Sequence, residues 1–241
     1  MIGIEVCIET FEEAKIAASA DCNRIEICSA LALGGLTPSI GLIESCLKLK
    51  NIESHILIRP RAGNFMYTKS ELEIMKNDIA RAADLGVKGV VFGCLDTANE
   101  IDSLACELLI KIAKSKNLEI TFHRAIDFTT DFLASFKKIS SIGFDRILTS
   151  GKELSAEMGL LNIKKLISEN KSSIEIMAGG GINPENIHHF LGVGLDAVHF
   201  SLKSKADSIS KSGMGNYDLP DAQKMIALQK KIRNYENNQH P

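Results

Sequence analysis

Eight short apolar runs of strand length, each followed by a segment with helical signals, constrain the fold of this chain most strongly. The steps from one run to the next are roughly 20 to 35 residues, which fits one strand, one helix and two short loops. Such regular repetition is typical of a parallel sheet whose helices cover it. The predicted strands are Ile2–Cys7, Arg24–Cys28, Ile56–Ile58, Gly89–Phe92, Glu119–His123, Arg146–Thr149, Ile174–Met177 and Ala197–Phe200.

A closed barrel is the fold that best accommodates eight such units. The chain of 241 residues has a typical length for a (β/α)8 barrel, whereas an open doubly wound sheet, the alternative, rarely contains eight units of even size. We therefore predict an α/β fold, a single-domain (β/α)8 TIM barrel over residues 1–202 with a C-terminal extension helix. Residues 203–241 are expected to form a loop and a helix, Asp218–Asn234, that packs on the barrel.

Helix starts between the strands support this arrangement. Thr10 with Glu13, and Thr68 with Glu71, have the spacing of a capping box, in which two side chains bond each other's backbone N–H groups. After the seventh strand we predict a further short helix, Glu185–Leu191.

Composition excludes two classes of partner. The 28 basic residues are balanced by 30 acidic residues, and no basic cluster indicates contact with nucleic acid or with a membrane surface. Aromatic residues, at 5%, are too few for base-stacking platforms. No apolar run approaches the length of a membrane-spanning helix. We therefore expect no nucleic-acid partner and no membrane.

The N-terminus and the cysteines predict a cytoplasmic protein. The chain begins with a strand and not with the basic and apolar pattern of a signal peptide. Its six cysteines are scattered without CxxC spacing, which indicates free thiols in a reducing compartment.

Two arginines, Arg59 and Arg61, follow a buried apolar run and flank Pro60. At the period of two of a strand both side chains point to the same side. Two buried guanidinium groups require anionic partners, because an unpaired buried charge is costly. The residues are either an anion-binding site, which we favour, or a structural pair bridged to acidic residues of neighbouring strands.

Polar residues share one parity on most strands, and the other parity is apolar. The apolar side is expected to face the helices, so the polar side chains converge inside the barrel, where Val, Ile and Leu are usual. A structural charge network is the alternative to a functional site. Candidate acids and bases for an enzyme are Glu5, Glu26, His123 and Glu175.

Glycine-containing loops follow the sixth and seventh strands. Glycines allow backbone N–H groups to approach an anion closely, and barrels frequently bind phosphate at these loops. A simple turn is the alternative. The candidate anion-binding residues here are Ser150, Gly151, Gly179, Gly180 and Gly181, which add to Arg59 and Arg61.

Cys7 and Cys28 lie at equivalent ends of adjacent predicted strands, so their side chains are expected to approach each other. Two thiolates suit Cu(I), and Met177 offers a thioether. The alternative is a pair of small buried hydrophobic side chains, which spacing alone favours. The absence of HxxxH and CxxC patterns argues against a zinc site.

Short motifs at the ends of nearly all the strands carry a family resemblance. They are Glu5-Val-Cys7, Arg24-Ile-Glu-Ile-Cys28-Ser, Gly34-Gly-Leu-Thr-Pro38, Ile58-Arg-Pro-Arg61, Val90-Val-Phe-Gly93, Thr121-Phe-His-Arg124-Ala, Arg146-Ile-Leu-Thr-Ser-Gly151 and Met177-Ala-Gly-Gly-Gly181. In this order, from Met1 to about Ser201, they resemble the copper homeostasis protein CutC family, with a weaker echo around Ser212–Gly215.

The resemblance implies a cytoplasmic (β/α)8 barrel, linked to copper tolerance and Cu(I) binding, that forms a homodimer or a higher homo-oligomer. It implies no settled enzymatic activity. By this resemblance, Cys7 and Cys28 match the cysteines suspected of copper binding. The sequence departs from the family pattern at Ala62, usually a glycine, at Ile126, usually a phenylalanine, and at Leu202-Lys203, usually Ala-Arg.

Two functions from different classes follow. The first is a copper homeostasis protein that binds Cu(I), its copper cofactor or cargo, through Cys7 and Cys28. The alternative is a TIM-barrel enzyme acting on a small phosphorylated or carboxylated metabolite, held by two arginines and a glycine-rich loop.

Overall fold

A closed barrel of eight parallel strands forms the centre of the molecule, as the sequence predicts. The computed structural model describes residues 2–20, 22–204 and 218–239. Each strand pairs with the next along the chain, and the eighth pairs with the first. The strands are β1 Gly3–Ile8, β2 Arg24–Ile27, β3 Glu53–Leu57, β4 Gly89–Phe92, β5 Glu119–Phe122, β6 Arg146–Thr149, β7 Glu175–Gly179 and β8 Ala197–Ser201.

Helices connect the strands and cover the barrel. Both predicted capping boxes are present. The side-chain oxygens of Thr10 and Thr68 each accept a hydrogen bond from the backbone N–H three residues ahead, and the carboxylates of Glu13 and Glu71 accept one from the threonine backbone N–H. None of the described helices has the length and apolar character that a bilayer crossing requires. The helices are α1 Phe11–Ser19, α2 Ile40–Cys46, α3 Lys69–Leu85, α4 Ser103–Ser115, α5 Phe132–Ile142, α6 Leu160–Glu169 and α7 Ala222–Gln239.

The apolar core lies between the barrel and its helices. Each strand contributes at least one outward apolar residue that is at most 1% exposed, and the other parity carries buried polar residues such as Glu5, Glu26, His55 and Thr121. The polar residues therefore point into the barrel. The outward residues are Val6, Ile25, Ile56, Val90, Ile120, Ile147, Ile176 and Val198.

The predicted helix Glu185–Leu191 is wrong as an α-helix, since the segment contains only the short 3-10 helix Ile187–His189. The side-chain oxygen of Asn183 accepts hydrogen bonds from the backbone N–H groups of Glu185 and Asn186, so a side chain organises this turn. A single turn of this kind offers no extended helix N-terminus to an anion.

The C-terminal segment returns to the barrel through a short antiparallel pair, β9 Lys203–Ser204 with β10 Leu219–Pro220. Helix α7 follows, starting four residues later than predicted, and buries Met225, Leu228 and Ile232. Residues 205–217, including the echo around Ser212–Gly215, lie outside the described residues.

Leu228→Ala tests whether α7 stabilises the barrel. Leu228 is fully buried, so we expect its truncation to lower the free energy of unfolding by about 2–5 kcal/mol. The matched control is Ile226→Ala on the same helix, where the side chain is 53% exposed and the expected change is small. Urea denaturation measures both. Equal effects of the two substitutions would contradict the packing of α7.

Candidate functional site

A network of buried charges fills the middle of the barrel. The Glu5 carboxylate accepts hydrogen bonds from Arg24 and, at 2.7 Å between Oε1 and Nδ1, from His199. Burial alone would raise the pKa of Glu5, but the hydrogen bond from His199 and the charge of Arg24 lower it well below its usual range. Glu5 is therefore a fixed carboxylate, poorly suited to proton transfer near neutral pH.

Glu26 and His199 form the upper part of this network. Glu26 Oε2 lies 3.7 Å from His199 Nε2. Burial raises the pKa of Glu26 to about 7. Burial would lower the pKa of His199, but contacts with Cys7, Glu5 and Glu26 raise it above its usual value. Of the acidic candidates, Glu26 alone thus combines a position at the C-terminal end of the barrel with a pKa near neutrality.

A cavity of about 160 Å³ opens at the C-terminal end of the barrel, above this network. We call it the mouth cavity. Its apolar walls come from leucines and one phenylalanine. It is lined by the polar side chains of Cys7, Glu26, Cys28, Arg59, His123, Arg124 and His199, together with Leu31, Gly34, Leu57, Phe65 and Leu148.

Cys7 and Cys28 both line the mouth cavity as free thiols. They belong to one buried cluster with Leu57 and Val91. Burial, together with the neighbouring Glu26 and Cys7, raises the pKa of Cys28 well above the usual value of a thiol. The two cysteines thus lie in one cluster at the same end of the barrel, in largely apolar surroundings.

Arg59 reaches the mouth cavity with its guanidinium held by backbone carbonyls. Nη1 donates to the oxygens of Leu33 and Gly35 at 3.0 and 2.8 Å, and Nη2 donates to the oxygen of Gly63 at 2.8 Å. The guanidinium carbon also lies 5.1 Å from the centre of the Phe65 ring. These contacts orient the side chain but leave its positive charge without a counter-ion in the part of the chain that the structure describes.

Arg61 does not line the mouth cavity, so the prediction that it shares an anion-binding site with Arg59 is wrong. Its Nε donates to Glu71 Oε1 at 2.5 Å, and its Nη2 donates to the Met66 oxygen at 2.6 Å. Strand β3 ends at Leu57, so the period of two no longer applies at position 61. The second oxygen of Glu71 accepts the Thr68 N–H of the capping box of α3. Arg61 is therefore a structural contact to α3.

His123 follows β5 and presents one unpaired ring nitrogen. Nδ1 accepts a hydrogen bond from the Ala125 N–H at 3.3 Å, which places the proton of the neutral ring on Nε2. Nε2 is buried and has no hydrogen-bond partner among the described residues. Burial, followed by the charge of Arg59, lowers the pKa of His123 to about 3. His123 is thus a neutral hydrogen-bond donor and not an acid or base near neutral pH.

The loop after β6 is already occupied by a carboxylate of the chain itself. Asp127 accepts hydrogen bonds from the Thr149 hydroxyl at 2.5 Å and from the backbone N–H groups of Ser150 and Lys152. The Gly151 N–H donates to the Thr149 hydroxyl. Ser150 and Gly151 therefore do not turn their donors toward the mouth cavity, because Asp127 fills the place of an external anion.

The glycine loop after β7 is also separate from the mouth cavity. A Cβ atom on Gly180 would lie 3.3 Å from the Arg124 guanidinium carbon, and the φ angle of +109° further favours glycine there. Gly179 ends β7, and the Gly181 oxygen accepts a hydrogen bond from the Asn186 side chain. Gly180 thus gives space to Arg124, and none of the three glycines lines the mouth cavity.

Glu175 lies at the N-terminal end of the barrel, so its expected convergence with the other glutamates is wrong. It is the first residue of β7, and it accepts a hydrogen bond from Arg146 Nε at 2.6 Å. It lines a separate cleft of about 880 Å³. Met177 Sδ contacts Arg24 Nη2 at 3.9 Å, inside the network, and does not line the mouth cavity.

Arg124 and His199 complete the mouth cavity but are not among the candidate residues chosen from the sequence. Arg124 donates to Asp127 at 2.9 Å and to the Ser150 hydroxyl at 2.7 Å. The alternation of side chains along β8 predicts that His199 points into the barrel. Because a buried Glu5 requires a partner, His199 could have been chosen as a site residue from the sequence.

Two groups of three potential metal ligands occur among the described residues. One is Glu5, Glu26 and His199, and the other is Glu53, His55 and Glu119. Arg24 contacts the first group, and Arg146 and Lys88 contact Glu119 of the second. The positive charges of these side chains already compensate the carboxylates, so neither group carries a metal assignment.

His55 provides a test of the buried network by pH. Its ring is fully buried above Gly89, 3.7 Å from Glu119 Oε2, and burial lowers its pKa to about 3. The folded state thus favours the neutral ring. This contribution to stability is complete above the unfolded pKa of about 6.5 and is lost as the pH falls toward the folded value.

We expect His55→Gln to flatten the pH dependence of the free energy of unfolding. When the pH falls from about 7.5 to 5, the free energy of unfolding of wild type should decrease by about 2 kcal/mol more than that of the variant. The reason is that the His55 imidazole binds a proton in the unfolded state but stays neutral in the folded state. Urea denaturation at each pH gives the free energy of unfolding of both proteins. A loss of stability that the substitution causes equally at every pH does not change the comparison of their pH profiles. Parallel pH profiles would show that His55 is not held neutral.

Comparison with known proteins agrees with the fold and with the motifs. Residues 2–204 match the CutC family. The family protein CutC of Glaesserella parasuis serovar 5 is 40% identical over 240 residues, which is 95% of this chain and 98% of that protein. The family protein CutC of Vibrio vulnificus strain CMCP6 is 40% identical over 224 residues, which is 90% of each chain.

A solved structure from Streptococcus agalactiae, described as a copper homeostasis protein CutC, is similar as well. It shares 35% sequence identity and a TM-score of 0.77, covering 83% of this chain and 98% of its own. The family match extends over all the strand ends that form the mouth cavity. The chain therefore belongs to the CutC family.

Proposed function

We propose that this chain is a copper homeostasis protein that binds Cu(I) through Cys7 and Cys28. The observation that carries the proposal is that both free thiols line one cavity at the C-terminal end of the barrel. The Streptococcus agalactiae relative is described as a copper homeostasis protein, which supports the same assignment.

The chemistry of the mouth cavity fits a soft monovalent cation. Thiolates are ligands that select Cu(I) over hard cations, and leucine walls limit the access of water. Two thiolates with one Cu(I) carry a net negative charge, which the neighbouring Arg59 would offset. The raised pKa of Cys28 means that Cu(I) must displace a proton from this thiol when it binds.

Other donors near the cavity are less suited to Cu(I). The ring nitrogen of His123 that has no partner carries a proton, so it donates and does not ligate. Met177 lies deeper in the barrel, against Arg24. Cys7 and Cys28 are therefore the proposed ligands.

The double variant Cys7→Ser, Cys28→Ser should bind Cu(I) more than about 100-fold more weakly than wild type. Loss of residues that only support metal ligands already costs about 10- to 100-fold in affinity, and loss of the ligands themselves should cost more. Titration against a competing Cu(I) chelator, without oxygen and with reductant, measures the affinity. Cys94 and Cys106 form a matched control, since they are also two buried neighbouring thiols but lie outside the mouth cavity.

The double variant Cys94→Ser, Cys106→Ser should keep the wild-type affinity for Cu(I). The copper assignment fails if wild type binds no Cu(I), or if the control pair loses binding while the Cys7 and Cys28 variant retains it.

A second candidate function is acid–base catalysis on a small phosphorylated or carboxylated metabolite. The proximity of Glu26 to His199, with the pKa of Glu26 raised to about 7, favours it, because such a group exchanges protons near neutral pH. In this function Glu26 is the acid or base. Glu5 orients His199, His123 donates a hydrogen bond, and Arg59 binds the charge of the substrate.

Glu26→Gln should lower turnover by about 10²- to 10⁴-fold in a screen of sugar phosphates and short carboxylates followed by NMR. Glu175→Gln is the control, because Glu175 lies at the opposite end of the barrel and should leave the rate unchanged. Turnover that persists at the wild-type rate in Glu26→Gln would remove Glu26 from the reaction, and a screen without turnover by wild type would end this candidate.

A further inference from the structure

We propose that the mouth cavity binds a small organic oxyanion, a carboxylate or a phosphate monoester, between the Arg59 guanidinium and the Nε2–H group of His123. The binding is distinct from that of Cu(I), for which the cysteines are the ligands. It deepens the second candidate function, on which it rests for the class of ligand, by arguing why Arg59 and His123 require an oxyanion and by limiting the size of that ligand. The claim concerns binding alone, so a protein without turnover could still satisfy it.

The first support is the charge of Arg59. The side chains of Arg24, Arg61, Arg124 and Arg146 each form an ion pair with a carboxylate, whereas Arg59 forms none among the described residues. Its partners are three backbone carbonyls, which accept hydrogen bonds but carry no formal charge. Arg59 is only 5% exposed, and a buried charge without a counter-ion is costly. An anion in the cavity would supply the counter-ion.

The second support is the orphan donor of His123, which is independent of Arg59. His123 is 6% exposed, lines the mouth cavity, and has its Nδ1 engaged by the Ala125 N–H. Its buried Nε2–H has no acceptor among the described residues. A buried donor left unpaired costs the desolvation of that group, so the site is complete only when an acceptor is bound. A metal cation cannot meet this need, because it requires a lone pair and not a proton.

Phe65 brings these two donors into one wall. Its ring centre lies 4.8 Å from that of His123 and 5.1 Å from the Arg59 guanidinium carbon. Phe65 thus contacts both the cation and the neutral donor. A single oxyanion has two or three oxygen atoms, so it can accept from both groups at once, with the guanidinium supplying charge and the imidazole a directed hydrogen bond.

The remaining walls limit the size of the ligand and its character. Leu31, Leu57 and Leu148 offer apolar contact to a short carbon skeleton, and Cys7 and Cys28 add further weakly polar surface. The volume of about 160 Å³ is below the ~300–1,000 Å³ of pockets for larger ligands. A small metabolite therefore fits, and a nucleotide does not.

The test is calorimetric titration of the copper-free, reduced full chain with three probes: inorganic phosphate, glycerol 3-phosphate and pyruvate. At least one probe should bind wild type at millimolar concentration or better. His123→Phe keeps an aromatic ring beside Phe65 but removes the donor, and should weaken binding several-fold, while Arg59→Lys should weaken it about tenfold or more.

Arg61→Lys is the matched control, because Arg61 is two residues away, pairs with Glu71 and does not line the cavity. It should bind the probe as wild type does. If Arg59→Lys fails to fold, His123→Phe alone decides. Because the protein is titrated without copper, binding of a probe cannot arise from a counter-ion role of Arg59 toward bound copper.

The proposal is overturned if none of the probes binds wild type, if His123→Phe binds as well as wild type, or if Arg61→Lys weakens binding as much as Arg59→Lys. A positive titration without turnover of any probe supports the binding site and counts only against the enzyme. Loss of Cu(I) binding in the cysteine variant has no bearing on it.

Discussion

The ion pair between Glu5 and Arg24 inside the barrel is the interaction on which the rest of the interior depends. A charged interior loses hydration when it folds, so each buried charge requires a partner. Glu5 meets this requirement with Arg24 on one side and His199 on the other. His199 in turn contacts Glu26 at the floor of the mouth cavity. The usual aliphatic filling of a barrel is thus replaced by a connected polar column that ends at the mouth cavity.

Arg59, at the mouth cavity, differs from the charged residues of this column because it has no charged partner among the described residues. The column compensates its own charges, whereas the guanidinium of Arg59 meets only carbonyl oxygens in the described chain. Next to it are two thiols, Cys7 and Cys28, and the unpaired donor of His123. The cavity therefore offers soft ligands for a metal ion and hard donors for an oxyanion within the same small space, and the two proposals draw on different atoms of it.

Much of the fold and part of the site could be predicted from the sequence, because both follow from local periodicity. Alternation of strands and helices gave the barrel, and parity gave the inward direction of Glu5, Glu26 and Cys28. Arg61 could not be placed by parity, because β3 ends at Leu57 and the chain then turns toward Glu71. The sequence shows the capping box in which Glu71 takes part, but it does not show that the other carboxylate oxygen of Glu71 pairs with Arg61.

Other residues escaped prediction because their roles depend on contacts between distant segments. Asp127 follows β5 and reaches the loop after β6 because these two strands pair side by side, so the sequence alone does not show that the donor of Ser150 is already used. Glu175 and Met177 have the correct parity, but β7 continues to Gly179 and places both below the mouth cavity. The alternation along a strand determines whether a side chain points into or out of the barrel. Its height along the barrel axis depends in addition on the register of the strand with its neighbours.

The central claim is that Cys7 and Cys28 at the mouth cavity are the metal-binding thiols of this protein. The most direct measurement is anomalous X-ray diffraction at the copper edge from crystals grown with Cu(I) in the absence of oxygen. The account predicts one anomalous peak between the sulfur atoms of Cys7 and Cys28. A peak at any other cysteine, or copper-loaded crystals with no peak in the mouth cavity, would contradict it.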